Sequence, residues 1–380
     1  RAIGVLLGNT LPDGLLGLRS FKEHGALVLA EMPEARGPDT PFYLEDELVD
    51  TYDRADQLAA DLPRYWACAA DSEDAPEQNE DLLTTIFAHL YAETDHDFSK
   101  YERSTVWRRI QRRMAVHHLS SPDAYLNHIQ RDPAEVQALF RELLISVTSF
   151  FRTPEAFQAL EEQVIPRLFA GKDRSDCVRV WSAGCATGEE AYSLAMLLDE
   201  HAASLPRAPE IQIFATDPSP QAIRRARDGR YARSVVAELS EARRARHLRQ
   251  VGENYRIKKA LRDRVLFAQH DLLTDPPFSK IDLVACRNVL IYLQRSVHSR
   301  VLRLLHYGLR PGGILFLGEA ESAHDESDLF GPMNAHPALY RRNDTQRAGA
   351  SVPAASLSRS PSQPPAQSAP PASADLRAAH

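Results

Sequence analysis

The sequence predicts an α/β protein: a doubly wound parallel sheet preceded by an all-α region. Three observations carry this reading. From Cys177 onward, short apolar runs alternate with helical stretches, as parallel sheets require because each crossover takes a helix. From Glu80 to about Phe169, apolar residues instead recur at three- and four-residue spacing, the helical period. Hydrophobic residues are 43% and charged residues 26% of the 380, a globular composition that can bury sizeable cores.

The elements follow in chain order. Residues 1–66 read as strand Ile3–Leu7, helix Leu15–His24, strand Ala26–Leu29 and a helical stretch ending near Trp66. Residues 67–79 are small, acidic and aperiodic, the texture of a linker. The helical region spans 80–169, and Ser121-Pro122 and Asp132-Pro133 mark helix starts, since a capping side chain followed by proline is preorganised for a first turn. The α/β region spans 170–343. Its strands are expected at Val178–Ser182, Ile211–Thr216, Val265–Ala268, Ile281–Ala285 and Ile314–Gly318. Its helices are expected at Glu189–His201, Gln221–Arg227 and Ser296–Leu309. The tail, 344–380, is rich in Ser, Pro and Ala and reads as disordered. No internal repeat is present.

Several classes are excluded. A net charge of -7 offers no global field for nucleic acid or an anionic membrane. No apolar run approaches the roughly 20 residues that span a bilayer, and no secretory signal is read. The chain opens on Arg1 rather than Met, which suggests a piece of a longer polypeptide. Cys68, Cys177, Cys185 and Cys286 show no metal-ligand spacing, so neither structural metal nor a disulfide framework is expected, and a cytoplasmic setting is. His117-His118 is read as a solvated surface pair.

The first α/β strand ends in Ser182-Ala183-Gly184-Cys185-Ala186-Thr187-Gly188-Glu189-Glu190 and runs into a helix. Glycines let backbone approach a ligand, and the helix start offers unpaired N–H groups. The spacing is G-x-x-x-G, not the pattern that cradles a pyrophosphate. The acidic residues that follow suit a ligand without phosphate that carries positive charge, and S-adenosylmethionine (SAM) is such a ligand. Asp217, at the end of the second strand, is placed to accept both hydroxyls of a ribose. Asp275-Pro276-Pro277-Phe278 resembles a tetrapeptide of nucleic-acid amino-methyltransferases, but it precedes the fourth strand instead of following it, and is read as a loop.

Four motifs stand in one order: Thr148-Ser149-Phe150-Phe151-Arg152, Trp181–Glu190, Phe214–Asp217 and Cys286–Tyr292. With Leu309-Arg310-Pro311-Gly312-Gly313 and Gly318-Glu319-Ala320-Glu321-Ser322, they closely resemble the chemotaxis receptor glutamate methyltransferases, the CheR family, from about Asp81 to Arg342. The resemblance implies a Rossmann-like SAM-dependent methyltransferase domain, an all-α N-terminal domain, and a small antiparallel β insertion near 231–265. It also implies methyl esterification of glutamates on receptor coiled coils.

Roles implied by the resemblance follow residue by residue. Thr148 and Arg152 would contact SAM, Glu189 its amino group and Asp217 its ribose. Asp271 and Leu272 would border the adenine, and Arg287 and Asn288 would line the methionine end. Arg152 and Tyr292 would sit beside the methyl group and the incoming glutamate. Ser146 stands where the family often has Asn. Glutamate is already ionised near neutral pH, so no general base is required. Two other readings remain open: a SAM-binding signalling module with weak catalysis, and a small-molecule carboxyl methyltransferase.

Arg108/Arg112 and Arg109/Arg113 fall at i,i+4 and predict a cationic stripe on one helix, either a solvated face or a surface for acidic receptor methylation helices. The stripe is short and lacks interleaved aromatics, so nucleic acid is not the expected partner. The stretch Arg249–Arg256 looks short for gripping a receptor C-terminal pentapeptide, so pentapeptide-independent recognition is expected. Residues 1–66 resemble the C-terminal end of a chemotaxis methylesterase (CheB-type) domain. Gly8–Gly14 matches the loop of its triad Asp, here Asp13, but no nucleophile elbow or His precedes it.

Overall fold

The apolar runs after Cys177 form buried strands because every second residue, and in the central strands nearly every residue, meets a helix on one face or the other. A computed structural model describes residues 2–7, 21, 26–32, 49–70, 79–144 and 147–344. The main sheet comprises β4 (Cys177–Ala183), β5 (Glu210–Asp217), β9 (Val265–Gln269), β10 (Ile281–Cys286), β11 (Leu309–Leu317), β12 (Phe330–Pro332) and β13 (Leu339–Arg342). Its order is β12-β13-β11-β10-β4-β5-β9. The pairs from β11 to β9 are parallel, while β13 runs antiparallel to both β11 and β12. Helices α6 (Glu189–Ala203), α7 (Pro220–Asp228) and α8 (Arg295–Gly308) supply crossovers.

The strand order reverses between β4 and β10, so their carboxyl ends open a crevice where ligands bind in such sheets. Trp181 is fully buried beneath it, its indole N–H donating to Thr216 Oγ1 at 2.9 Å. Between α7 and β9 lies a small antiparallel sheet of β6 (Arg230–Ala232), β7 (Leu248–Val251) and β8 (Asn254–Ile257), ordered β6-β8-β7.

The helical region contains α2 (Glu80–Thr94), α3 (Arg103–Val116), α4 (Pro122–Ile129) and α5 (Pro133–Leu143). Ser121 and Asp132 cap α4 and α5 by accepting from Ala124 N and Ala134 N. Leu83, Ile86, Leu90, Phe98, Ile110, Tyr125 and Leu139 form its dry core. A further helical run, Pro154–Ala159 and Ile165–Phe169 joined by a π turn over Leu160–Val164, leads into β4.

Near the N-terminus, β1 (Ile3–Leu6), β2 (Leu27–Glu31) and β3 (Thr51–Asp53) form a parallel sheet, followed by α1 (Ala55–Ala70). Three expectations need correction. Residues 67–70 extend α1 rather than beginning the linker, because Ala-Cys-Ala-Ala is small yet helix-compatible. Thr51–Asp53 is a strand, where a helix was expected. His117 and His118 are half-buried: His117 Nε2 lies 2.7 Å from Glu135 Oε2, and His118 packs against Tyr65 with ring centroids 5.0 Å apart. The expected helix Leu15–His24 (Phe21 apart), the loop Gly8–Gly14 with Asp13, Ser146 and the tail from 345 lie outside the described residues.

Candidate cofactor and methyl-transfer site

The loop from β4 to α6 is shaped by backbone that few residues adopt. Gly184 has φ +77, and a Cβ there would collide with Val289 Cγ2. Ala186 carries φ +47 without being glycine, a strained state that persists only where surroundings hold it. Asp217 supplies that hold. Its Oδ2 accepts from Ala186 N and its Oδ1 from Ser219 N, both at 2.9 Å. Gly184 N and Cys185 N donate to the Thr216 carbonyl at 2.8 and 2.9 Å. Strand β5 thus dictates the loop's course.

The acidic helix start divides its labour. Glu189 is buried and accepts from Thr187 Oγ1 at 2.6 Å. Glu190 accepts from Ser182 Oγ at 2.8 Å and lies 3.6 Å from Arg287 Nη1. Burial raises the Glu190 carboxyl above its ordinary range, against the opposing pull of Arg287 and Ser182. Arg287 is itself buried, with its guanidinium over the Phe316 and Phe157 rings at 4.5 and 5.0 Å. Burial lowers its pKa, and Glu190 works against that. It therefore braces the crevice from below.

Glu321 is a residue that sequence reasoning quoted without a role. Its carboxylate accepts from the backbone N–H groups of Asn288, Val289, Leu290 and Gly318 at 2.7–2.8 Å. That grip holds the segment after β10, including Asn288 at φ +57, in the turn that leads to Tyr292. The quoted motif placed Glu321 there, but a carboxylate's service to four amides leaves no spacing signature.

The other residues singled out in the sequence are positioned as follows. Asp271 and Leu272 follow β9, half-buried. Burial pushes the Asp271 carboxyl up, yet His96, Leu273 N–H and Thr274 outweigh it and the net shift is downward. Thr148 and Arg152 lie on the segment joining the helical region to the sheet, and Arg152 Nη1 donates to the Val147 carbonyl at 3.3 Å. Phe151 and Thr153, flanking Arg152, have φ +51 and +63. A cavity of about 650 Å³ lined by Arg152, Phe157, Glu161, Glu238 and Arg243 opens beside this segment. Tyr292 is half-buried, and its carbonyl accepts from Glu102 N at 2.9 Å.

The carboxylates near this edge, Glu189, Asp217 and Asp271, fit SAM, which carries an ammonium, a ribose diol and an adenine amino group that donate. The missing phosphate-type glycine spacing agrees.

The basic helix corrects an expectation. Arg108, Arg109, Arg112 and Arg113 do not form one exposed stripe, because α3 turns Arg109 and Arg112 inward onto carboxylates. Arg109 pairs with Glu142 at 3.1 Å, and Arg112 with Asp50 at 2.6 Å and Glu142 at 3.2 Å. Arg113 pairs with Glu135 at 2.5 Å, and Arg108 is exposed. Among the described residues, His117, His128 and Glu135 are grouped closely enough to hold a metal ion. Arg113, Tyr125 and His117 already occupy the Glu135 carboxylate. No helix among the described residues is long and apolar enough to cross a membrane.

Comparison with known proteins agrees with this fold. The family model of the CheR methyltransferase SAM-binding domain matches residues 146–339, and that of the CheR methyltransferase all-alpha domain matches residues 81–144. A Pseudomonas putida protein named as a methyltransferase, Cher3, is 34% identical over 278 residues, covering 70% of this chain and 99% of its own length. A chemotaxis protein methyltransferase of Listeria monocytogenes is 34% identical over 232 residues, covering 61% of this chain and 86% of that protein. A 104.1 kDa protein of Rhodobacter capsulatus is 35% identical over 372 residues, 90% of this chain, which spans 39% of that relative. With its SAM-binding and all-alpha regions both matched and a carboxyl-edge crevice built for that cofactor, the chain belongs to the CheR methyltransferase family.

Proposed function

We propose that the chain transfers the methyl group of SAM to glutamate side chains of chemotaxis-type receptors, acting as a cytoplasmic protein-glutamate O-methyltransferase in signal adaptation. The supporting observation is the crevice itself, where Asp217 and Asp271 stand at or just past strand ends, Glu189 opens the helix after the glycine loop, and Arg287 ties Glu190 to the Arg152 segment. Bound SAM supplies an electrophilic methyl on a sulfonium. Glu189 would hold its ammonium, Asp217 the ribose, Asp271 and Leu272 the adenine, and Thr148, Arg287 and Asn288 the remaining methionine end. Arg152 and Tyr292 would orient the receptor carboxylate in line with the methyl and strip water from it, which is where the rate enhancement arises. The carboxylate arrives ionised, so the residues position it and no proton need be removed.

The receptor helix would approach along the face of α3 that bears Arg108, with Arg113 at its edge. Arg109 and Arg112 would act there only through the carboxylates they hold. Recognition independent of a receptor pentapeptide is part of this reading, given the short β7–β8 hairpin. Incubation with labelled SAM and receptor cytoplasmic fragments tests it: base-labile methyl esters on receptor glutamates are expected. Label on free carboxylic acids instead, or SAM binding without any ester, would refute the assignment.

A further inference from the structure

The helical region reaches the crevice through two side chains that no motif singled out. His96, 5% exposed, follows α2, and Tyr101 follows the short turn Phe98–Lys100. His96 Nε2 and the Tyr101 hydroxyl lie 2.9 Å apart, and His96 Nδ1 lies 3.3 Å from Asp271 Oδ2. Asp271 Oδ1 is filled by Leu273 N at 2.8 Å. Each ring nitrogen thus has one partner, and the chemistry fixes the direction. A carboxylate only accepts, so Nδ1 carries the proton toward Asp271, and in the neutral ring Nε2 then accepts from the tyrosine O–H. The imidazole cannot swivel, because Phe98, Tyr101 and Phe140 pack around it with ring centroids 4.6, 5.6 and 5.9 Å away.

The tyrosine stands at the cofactor edge. Burial pushes its hydroxyl well above the ordinary range, and the negative charges of Asp271 and Asp217 add to that. Its backbone bridges antiparallel to Leu293, Gln294 Nε2 donates to its carbonyl at 3.1 Å, and Gln294 N donates to the Lys100 carbonyl at 2.9 Å. The helical region is therefore stitched to the segment after β10 on both sides of Tyr101.

We propose that His96 and Tyr101 are positioning residues that fix Asp271 as an acceptor for the exocyclic amino group of the cofactor's base, so that the helical region sets selectivity for adenine. This rests on the cofactor placement above. A carboxylate with one oxygen filled and the other aimed by a fixed histidine rejects a base that offers a carbonyl at that position, because both groups would then be acceptors.

Calorimetry on the full chain tests this with two probes, S-adenosylhomocysteine and its hypoxanthine counterpart, S-inosylhomocysteine. The parent is expected to prefer the adenine probe about tenfold or more. His96→Ala is expected to erase most of that preference, and His96→Asn, which retains a donor near Nδ1, to keep it. Tyr101→Phe, which removes one hydroxyl and spares the ring, should lower the preference about threefold. A role confined to packing would lower thermal stability and leave the ratio unchanged, which would overturn the inference. So would a parent without preference. Should His96→Ala fail to fold, Tyr101→Phe decides alone by the same ratio. Asp217→Ala is the control for the placement: if it binds the adenine probe as the parent does, the placement fails whatever the ratios show.

Discussion

Arg287 donates from Nη2 to the backbone carbonyl of Arg152 at 2.8 Å, joining the end of β10 to the segment that carries the proposed methyl-transfer arginine. The same guanidinium reaches the Leu317 carbonyl through Nε at 3.3 Å and faces Glu190. One planar cation thus sets the position of Arg152 relative to the glycine loop. Its fork is matched to several acceptors at once, which a lysine ammonium cannot reproduce.

Arg287→Lys is accordingly expected to keep the charge yet weaken SAM binding about tenfold or more, with a comparable loss in turnover. Calorimetry beside a methyl-transfer assay checks this. Parental affinity in Arg287→Lys would show that the fork geometry is not needed.

Glu321→Gln tests the turn that presents Tyr292. An amide oxygen can serve part of the set now held by the carboxylate, and its NH₂ would face backbone donors. The expected loss is about 1.5–3 kcal/mol of stability, read as a lower midpoint in thermal or denaturant unfolding. Glu319→Gln, on an exposed side chain of the same motif, should stay within about 0.5 kcal/mol of the parent.

Gly184→Ala should cost about 1–3 kcal/mol, through its positive φ and its collision with Val289. Pairing it with Val289→Ala removes the collision but not the backbone strain. The double variant should therefore recover part of the stability lost by Gly184→Ala, not all of it. Full recovery in a double-mutant cycle would mean the conformation itself is unstrained.

Glu135 gives a pH dependence. Burial raises its pKa, but Arg113, His117 and Tyr125 outweigh that and lower it from 4.5 to about 2. A depressed carboxyl pKa stabilises the fold above the unfolded value, and that contribution fades as pH falls from about 4.5 toward 2. The full contribution would be up to about 3 kcal/mol. Unfolding midpoints across that acid range should fall more steeply for the parent than for Glu135→Gln. The variant should already be less stable at pH 7, because Arg113 loses its partner.

Much of this was legible in the sequence. The strands from Cys177 to Leu317 announced themselves because burial on both faces makes the central ones nearly continuous apolar runs, and even the edge strand β9 stays apolar over Val265–Ala268. The glycine loop and Asp217 were visible because few residues tolerate those backbone angles or end a strand with a carboxylate. The inward turn of Arg109 and Arg112 was not visible. Their spacing fixes a helix face, but Asp50 and Glu142, the partners that bury them, come from distant parts of the chain. His96, Tyr101 and Glu321 escaped for the same reason. Each acts through a contact made only when separate elements meet, and β12 and β13 are too short to carry a period of their own.

The bridge between Tyr101 and Leu293, with Glu102 N donating to the Tyr292 carbonyl, has a consequence for how such a chain can be divided. A fragment cut at the start of the sheet region would retain the glycine loop, the carboxylates and Tyr292. It would lose the strand-like neighbour that fixes where Tyr292 stands. In a fusion or rearrangement the two regions would therefore travel as one cassette, because their boundary itself holds the residue proposed to meet the substrate.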